Sequence, residues 1–217
     1  MKGWCSILAV VSVALVALPS AVAGRTGNPQ PLPPEAAAQA MSAPGRLVAN
    51  AVKRVPLAAA LAAGRQPGWT TEVEAGLTPE QAVAAAADVE SRHAGRGPLA
   101  ARRAYPATIC WSGYFAVEWG GWPYGQIVRH NAYWCGNGYT LSYRTQHVTL
   151  SADGICSYHD AYGFKLWGGV GTYSVGVRSG GSFDCPTTVP WLTSHSNNYF
   201  DTYLAADGGA YVYAVVP

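Results

Sequence analysis

The sequence predicts an all-β domain: an antiparallel β-sandwich of about seven strands with a central four-strand meander. Three observations carry this expectation. The last 113 residues hold all 13 Tyr, six of the eight Trp and most of the glycines, the composition of a strand-and-turn protein. Asn137-Gly138 stands between two aromatic, alternating runs. Such a pair is the strongest short-range hairpin signal, because both central residues of a type I′ turn need positive φ. Further Gly-rich turn signals then punctuate the chain at short intervals as far as its end.

Residues 1–23 read as a signal peptide. Lys2 supplies the positive start, Ile7 to Leu18 an apolar core, and Ala21-Val22-Ala23 a small-residue cleavage site. The core is too short to span a bilayer comfortably, and no later stretch is apolar enough to do so. The expectation is a secreted, extracellular chain with no membrane span after cleavage. The Ala, Gly and Arg bias suggests a bacterial source.

Residues 24–104 read as a flexible linker, rich in Ala and Pro, with Trp69 its only aromatic residue. The alternative is a pro-segment cut near Arg102-Arg103. One helix is expected near residues 79–93. Thr78-Pro79-Glu80-Gln81 forms a capping box with Pro at the first helical position. A weaker helix is expected over Glu35 to Met41 or Leu47 to Val55, broken at Pro56.

The β-domain spans 105–217. Thr108 to Trp119 alternates, with Ile109, Trp111, Phe115, Val117 and Trp119 on the inner face. A two-residue turn at Asn137-Gly138 sets Trp134 opposite Leu141, Ala132 opposite Tyr143 and His130 opposite Thr145. One face then carries Val128, His130, Ala132, Trp134, Leu141, Tyr143 and His147. The other carries Arg129, Asn131, Tyr133, Thr140, Ser142, Arg144 and Gln146. A second tight turn at Asp153-Gly154 extends the meander and sets His147 opposite Asp160. A further strand follows with Tyr173, Val175 and Val177 inward, and a last hairpin turns at Asp207-Gly208-Gly209.

Of the five Cys, Cys5 lies in the leader. The other four read as two disulfides in an exported domain. Strand positions favour Cys110 with Cys135 and Cys156 with Cys185, with two other connectivities open. No C-x2-C or Cys/His spacing calls for a metal, and nothing calls for a cofactor.

Two candidate sites follow. The expected register gathers His147, Asp160 and His130 on one inner face, with Ser179 beside Asp160. This suggests proton transfer or a His-His-Asp metal site, or else a polar plug whose members satisfy one another. It is not a serine triad, because Asp160 stands between His147 and Ser179. The second candidate is the loop carrying Trp119, Trp122 and Tyr124, whose rings suit a sugar ring or an apolar partner surface. A net charge of +2 gives no reason to expect nucleic acid. The expected function is a secreted, non-catalytic binding or surface module, with cell-envelope polysaccharide or a protein surface as partner. The alternatives are a hydrolase using the His/Asp cluster, or a structural or inhibitory extracellular protein.

Overall fold

The computed structural model describes residues 30–73, 77–78, 80–81 and 108–217. The expected signal peptide lies outside these residues, as does most of the helix near 79–93. Its capping box is described: Thr78 N donates to Gln81 Oε1 at 2.8 Å, and Gln81 N donates to Thr78 Oγ1 at 3.2 Å.

The fold is an antiparallel β-sandwich of two sheets. In chain order come α1 (Pro34–Met41), β1 (Arg46–Val55), α2 (Leu57–Gly64), β2 (Thr70–Val73), β3 (Ile109–Trp119), β4 (Gln126–Gly136) and β5 (Leu141–Ala152). Then follow β6 (Ser157–Gly168), β7 (Ser174–Pro186), β8 (Thr193–Ala205) and β9 (Ala210–Val216). One sheet has the order β1-β3-β4-β5-β2, the other β6-β7-β8-β9. Phe115, Val117, Val128 and Trp134 of the first sheet pack on Val175, Val177, Phe183, Phe200 and Leu204 of the second, all fully buried. The alternation expected of β3 is observed, because only its odd-numbered side chains reach this core.

The structure corrects the reading of residues 46–73. They do not form a free linker; β1 and β2 are the two edge strands of the first sheet. β1 runs antiparallel along the whole of β3, from Arg46 opposite Glu118 to Val55 opposite Cys110. Leu47 to Val55 is therefore strand, not helix. Arg46, Lys53 and Arg54 are the charges that keep an exposed edge from pairing further. The helix over Pro34–Met41 occurs, whereas Pro56 breaks no helix: it follows β1 and stands at the N-cap of α2.

Both tight turns differ from expectation. At Asn137 to Thr140 the loop holds four residues, and φ is positive only at Gly138, so no type I′ turn forms. The Asn137 side chain accepts hydrogen bonds from Tyr139 N and Thr140 N at 3.0 and 2.9 Å, closing an Asx turn instead. Trp134 therefore faces Arg144, not Leu141, and His130 faces Val148. A bulge at Ser142 still brings Leu141 into the core beside Trp134, while Tyr143 turns outward.

At Asp153-Gly154 there is no hairpin. Asp153 N and Ile155 N donate to Gly125 O and Pro123 O, so the loop after β3 takes the bonds a hairpin needs. The chain turns a corner between sheets, and among the described strands β6 pairs with β7 alone. The four-strand meander thus becomes β3-β4-β5 in one sheet and a separate β6-β7-β8-β9 in the other. The last hairpin forms where expected, with Ala205 N donating to Gly209 O at 2.8 Å.

Two disulfides join Cys110 to Cys135 and Cys156 to Cys185. The first links directly opposed residues of β3 and β4 on the outer face of the first sheet. There α2 covers it, with Ala60 and Tyr143 packed against the sulfurs. The second closes the end of the sandwich under α1, beside Tyr124 and Met41.

Candidate functional site

The structure separates the three residues of the expected polar cluster. His147 lies on the outer face of the first sheet, opposite Asn131, with its ring 5.6 Å from that of Trp69. Asp160 is exposed on β6, in the other sheet. His130 is wholly buried between the sheets, with Nδ1 3.3 Å from Thr202 Oγ1 and, among the described residues, no hydrogen-bond partner at Nε2. The cause is the corner at Gly154, which removes β6 from β5. Ser179 is also buried on the inner face, away from Asp160.

Burial, helped by the Arg144 charge, drives His130 down to about 3. Its neutral form belongs to the folded state, whereas the unfolded chain binds this proton near pH 6.5. Stability must therefore fall as pH drops below that value. The share due to His130 is about 2 kcal/mol between pH 7 and pH 5. Urea unfolding of wild type and His130→Leu at both pH values isolates it. The variant is expected to lose about 2 kcal/mol less over this interval; parallel losses would contradict the assignment.

The aromatic loop is also not as expected. Trp119 is buried in the core. Tyr124 is buried too, its hydroxyl donating to Pro186 O at 3.0 Å and accepting from Leu32 N at 2.6 Å. Only Trp122 of the three is exposed.

A different surface gathers exposed rings: the outer face of β6-β7-β8-β9. Residues paired across the strands form rows on it. One row is Trp167, Gly176, Tyr203 and Tyr211. The next is Phe164, Arg178, Asp201 and Ala214, and the third is Tyr162, Gly180, Tyr199 and Val216. The glycines of β7 make room for the β6 rings: a Cβ on Gly176 would stand 2.4 Å from Trp167, and one on Gly180 2.5 Å from Tyr162 Oη. Trp167 and Tyr211 flank Tyr203 at centroid distances of 6.0 and 4.9 Å. In the middle row Arg178 grips Asp201 through two hydrogen bonds of 2.8 Å, and its guanidinium sits 4.0 Å over the Tyr199 ring. Phe164, Trp167, Tyr211 and Tyr213 are each 43–50 % exposed. The opposite sheet differs, because α2 and Trp69 lie on its outer face.

The same face ends in a His/Asp cluster. His159, Ser182 and Asn197 form its fourth row, and Asp184 faces His195 in the fifth. Asp184 Oδ1 lies 2.5 Å from His195 Nδ1, and Oδ2 lies 3.1 Å from His159 Nε2. His159 Nδ1 lies 2.6 Å from Asp160 Oδ2. With a carboxylate at each nitrogen, His159 is held above the usual histidine range, by Asp160 first and Asp184 also. His195 and His159 hold the Asp184 carboxyl below its usual range. Asp160 sits in a bulge of β6 at φ 53°, the sole non-glycine residue with positive φ among those described. Two adjoining clefts of about 410 and 300 Å³ meet at His195 and Asn197.

Asp160 does enter a His/Asp cluster, but with His159, Asp184 and His195. The missed signal was the alternation of Ser182, Asp184, His195 and Asn197 on strands that turn residues placed in succession. Compared with known protein families, characterised proteins and solved structures, the chain matches none of them.

Proposed function

We propose that the chain is an exported, disulfide-bonded module that binds polysaccharide on the outer face of β6-β7-β8-β9, with cell-envelope glycan as the first ligand to try. The observation that carries this is the aromatic face, which no element among the described residues covers. Sugar rings offer flat C–H surfaces that stack on Trp and Tyr, and hydroxyls that need hydrogen bonds. The rows supply both in alternation: rings, then the Arg178–Asp201 pair, then rings again. Two residues along a strand separate successive rows, so the two ring rows stand about 13 Å apart. That distance suits an extended chain of rings better than one small molecule. Arg178 and Asp201 neutralise each other, which favours a neutral ligand over an anion. The leader-like residues 1–23 and the disulfides support export. Among the described residues, no helix is long and apolar enough to cross a membrane.

Co-sedimentation with insoluble peptidoglycan tests the reading. Trp167→Ala and Tyr211→Ala are each expected to weaken binding by about 1–3 kcal/mol, the usual loss for an aromatic anchor. Trp122→Ala is expected to bind as wild type does. The reverse pattern would return the site to the loop, and wild type that stays in the supernatant would remove the reading.

A further inference from the structure

We propose that Asp184 and His195 form an acid–base centre that hydrolyses acyl esters carried by the polysaccharide lying along the aromatic face. The inference rests on the binding reading for where the substrate lies, and on independent geometry for the chemistry. His195 donates Nδ1–H to Asp184, which fixes its tautomer and leaves the Nε2 lone pair free, with no partner among the described residues. That is the base-and-orienter half of a hydrolytic site. His159 does not compete for this role, because both its ring nitrogens are engaged by carboxylates. It holds the Asp184 oxygen that His195 leaves free.

Asn197 supplies the other half. It lies two residues beyond His195 on the same face of β8, so the two side chains start about 7 Å apart. Its amide oxygen accepts from Tyr162 Oη at 3.0 Å, which leaves the Nδ2 hydrogens to donate elsewhere. Both residues line both clefts, and a carbonyl placed between them meets a base on one side and a donor on the other.

In the reaction, His195 Nε2 takes a proton from water as the water oxygen bonds to the ester carbonyl carbon. The carbonyl electron pair moves onto its oxygen, facing Asn197 Nδ2. The tetrahedral intermediate then collapses, the bond to the sugar oxygen breaks, and His195 returns the proton to that oxygen. The products are a carboxylic acid and a free sugar hydroxyl, with His195 neutral again.

The charge balance selects this substrate class. Two carboxylates against two histidines leave no positive excess for a phosphodiester. Glycoside cleavage needs one carboxyl to act as an acid and another to stand free, yet Asp160 and Asp184 are both tied to histidine rings. Among the described residues, no group of three or more His, Cys, Asp or Glu is arranged to hold a metal ion.

The test is acetate release by the full chain from p-nitrophenyl acetate and from O-acetylated peptidoglycan. His195→Ala is expected to lower kcat by about a hundred- to ten-thousand-fold, and Asn197→Ala by about a hundredfold. Both side chains are solvent-accessible, so thermal unfolding of both variants should match wild type; Trp122→Ala should keep full activity. Wild type no faster than buffer, or His195→Ala as fast as wild type, overturns the centre. Polymer that binds but keeps its acetyl groups overturns this inference and leaves the binding face standing. Cleavage of the small ester without binding of the polymer overturns the glycan reading alone.

Discussion

Glu72→Ala is expected to destabilise the protein by about 3 kcal/mol, the cost of leaving a buried cation without its partner. Arg144 points between the sheets with only 5 % of its side chain exposed. Its Nη2 and Nε lie 2.8 and 3.1 Å from Glu72 Oε2, and a further bond joins it to Gln146. Glu72 also reaches Lys165 Nζ at 2.6 Å, so one residue of β2 ties β5 to β6 across the open side of the sandwich. Burial raises the Glu72 carboxyl, but the bonds from Lys165 and Arg144 outweigh it and hold the group below the usual range. Glu72 keeps 23 % of its side chain exposed, which lets water soften the loss and places the figure at the low end of the range for such pairs. Urea unfolding measures it. A loss under about 1 kcal/mol, the level of an exposed pair, would mean that β2 is not part of the cooperative unit.

Replacing Cys156 and Cys185 together by Ser is expected to cost about 3.5 kcal/mol, from the loop entropy released in the unfolded chain. The bond spans a sequence separation of 29 residues and closes the corner between β5 and β6 onto the end of β7. The same end holds Tyr124, Met41 and Ala37, all buried. Loosening it should therefore expose α1 as well as the corner. Thermal unfolding with and without reductant gives the magnitude. Hydrogen exchange should show protection lost first at α1 and the Gly154 corner. Unchanged stability would mean that packing under α1 alone holds this end.

Much of the sandwich was legible because its signals are local. The alternation of β3 placed Trp111, Phe115 and Val117 inward, and turned Cys110 to the side where Cys135 meets it. Registers were less legible, because they depend on which backbone groups a turn satisfies. The Asn137 side chain lengthened one turn, and the loop at Pro123 and Gly125 captured the other. Each event moves a whole strand relative to its neighbour. The edge strands were hidden by composition. Arg46–Val55 carries three cations and two Ala residues among its apolar ones, which reads as solvated chain until β3 is seen beside it.

The aromatic face and the His/Asp cluster shared that fate. Tyr162 stands far from Tyr199 and Tyr203 in the chain, with no local signal that joins them. Only the pairing of β6 with β7 and β7 with β8 sets them in rows. His159 and His195 likewise acquire meaning through Asp184, which lies between them on β7.

The most direct measurement titrates a soluble glycan oligosaccharide onto protein with isotope-labelled aromatic rings and follows their NMR shifts. A ligand seated on the outer face of β6-β7-β8-β9 moves the resonances of Trp167, Tyr203 and Tyr211 together and leaves Trp122 in place. Shifts confined to Trp122, or to the rings under α2, would contradict that placement.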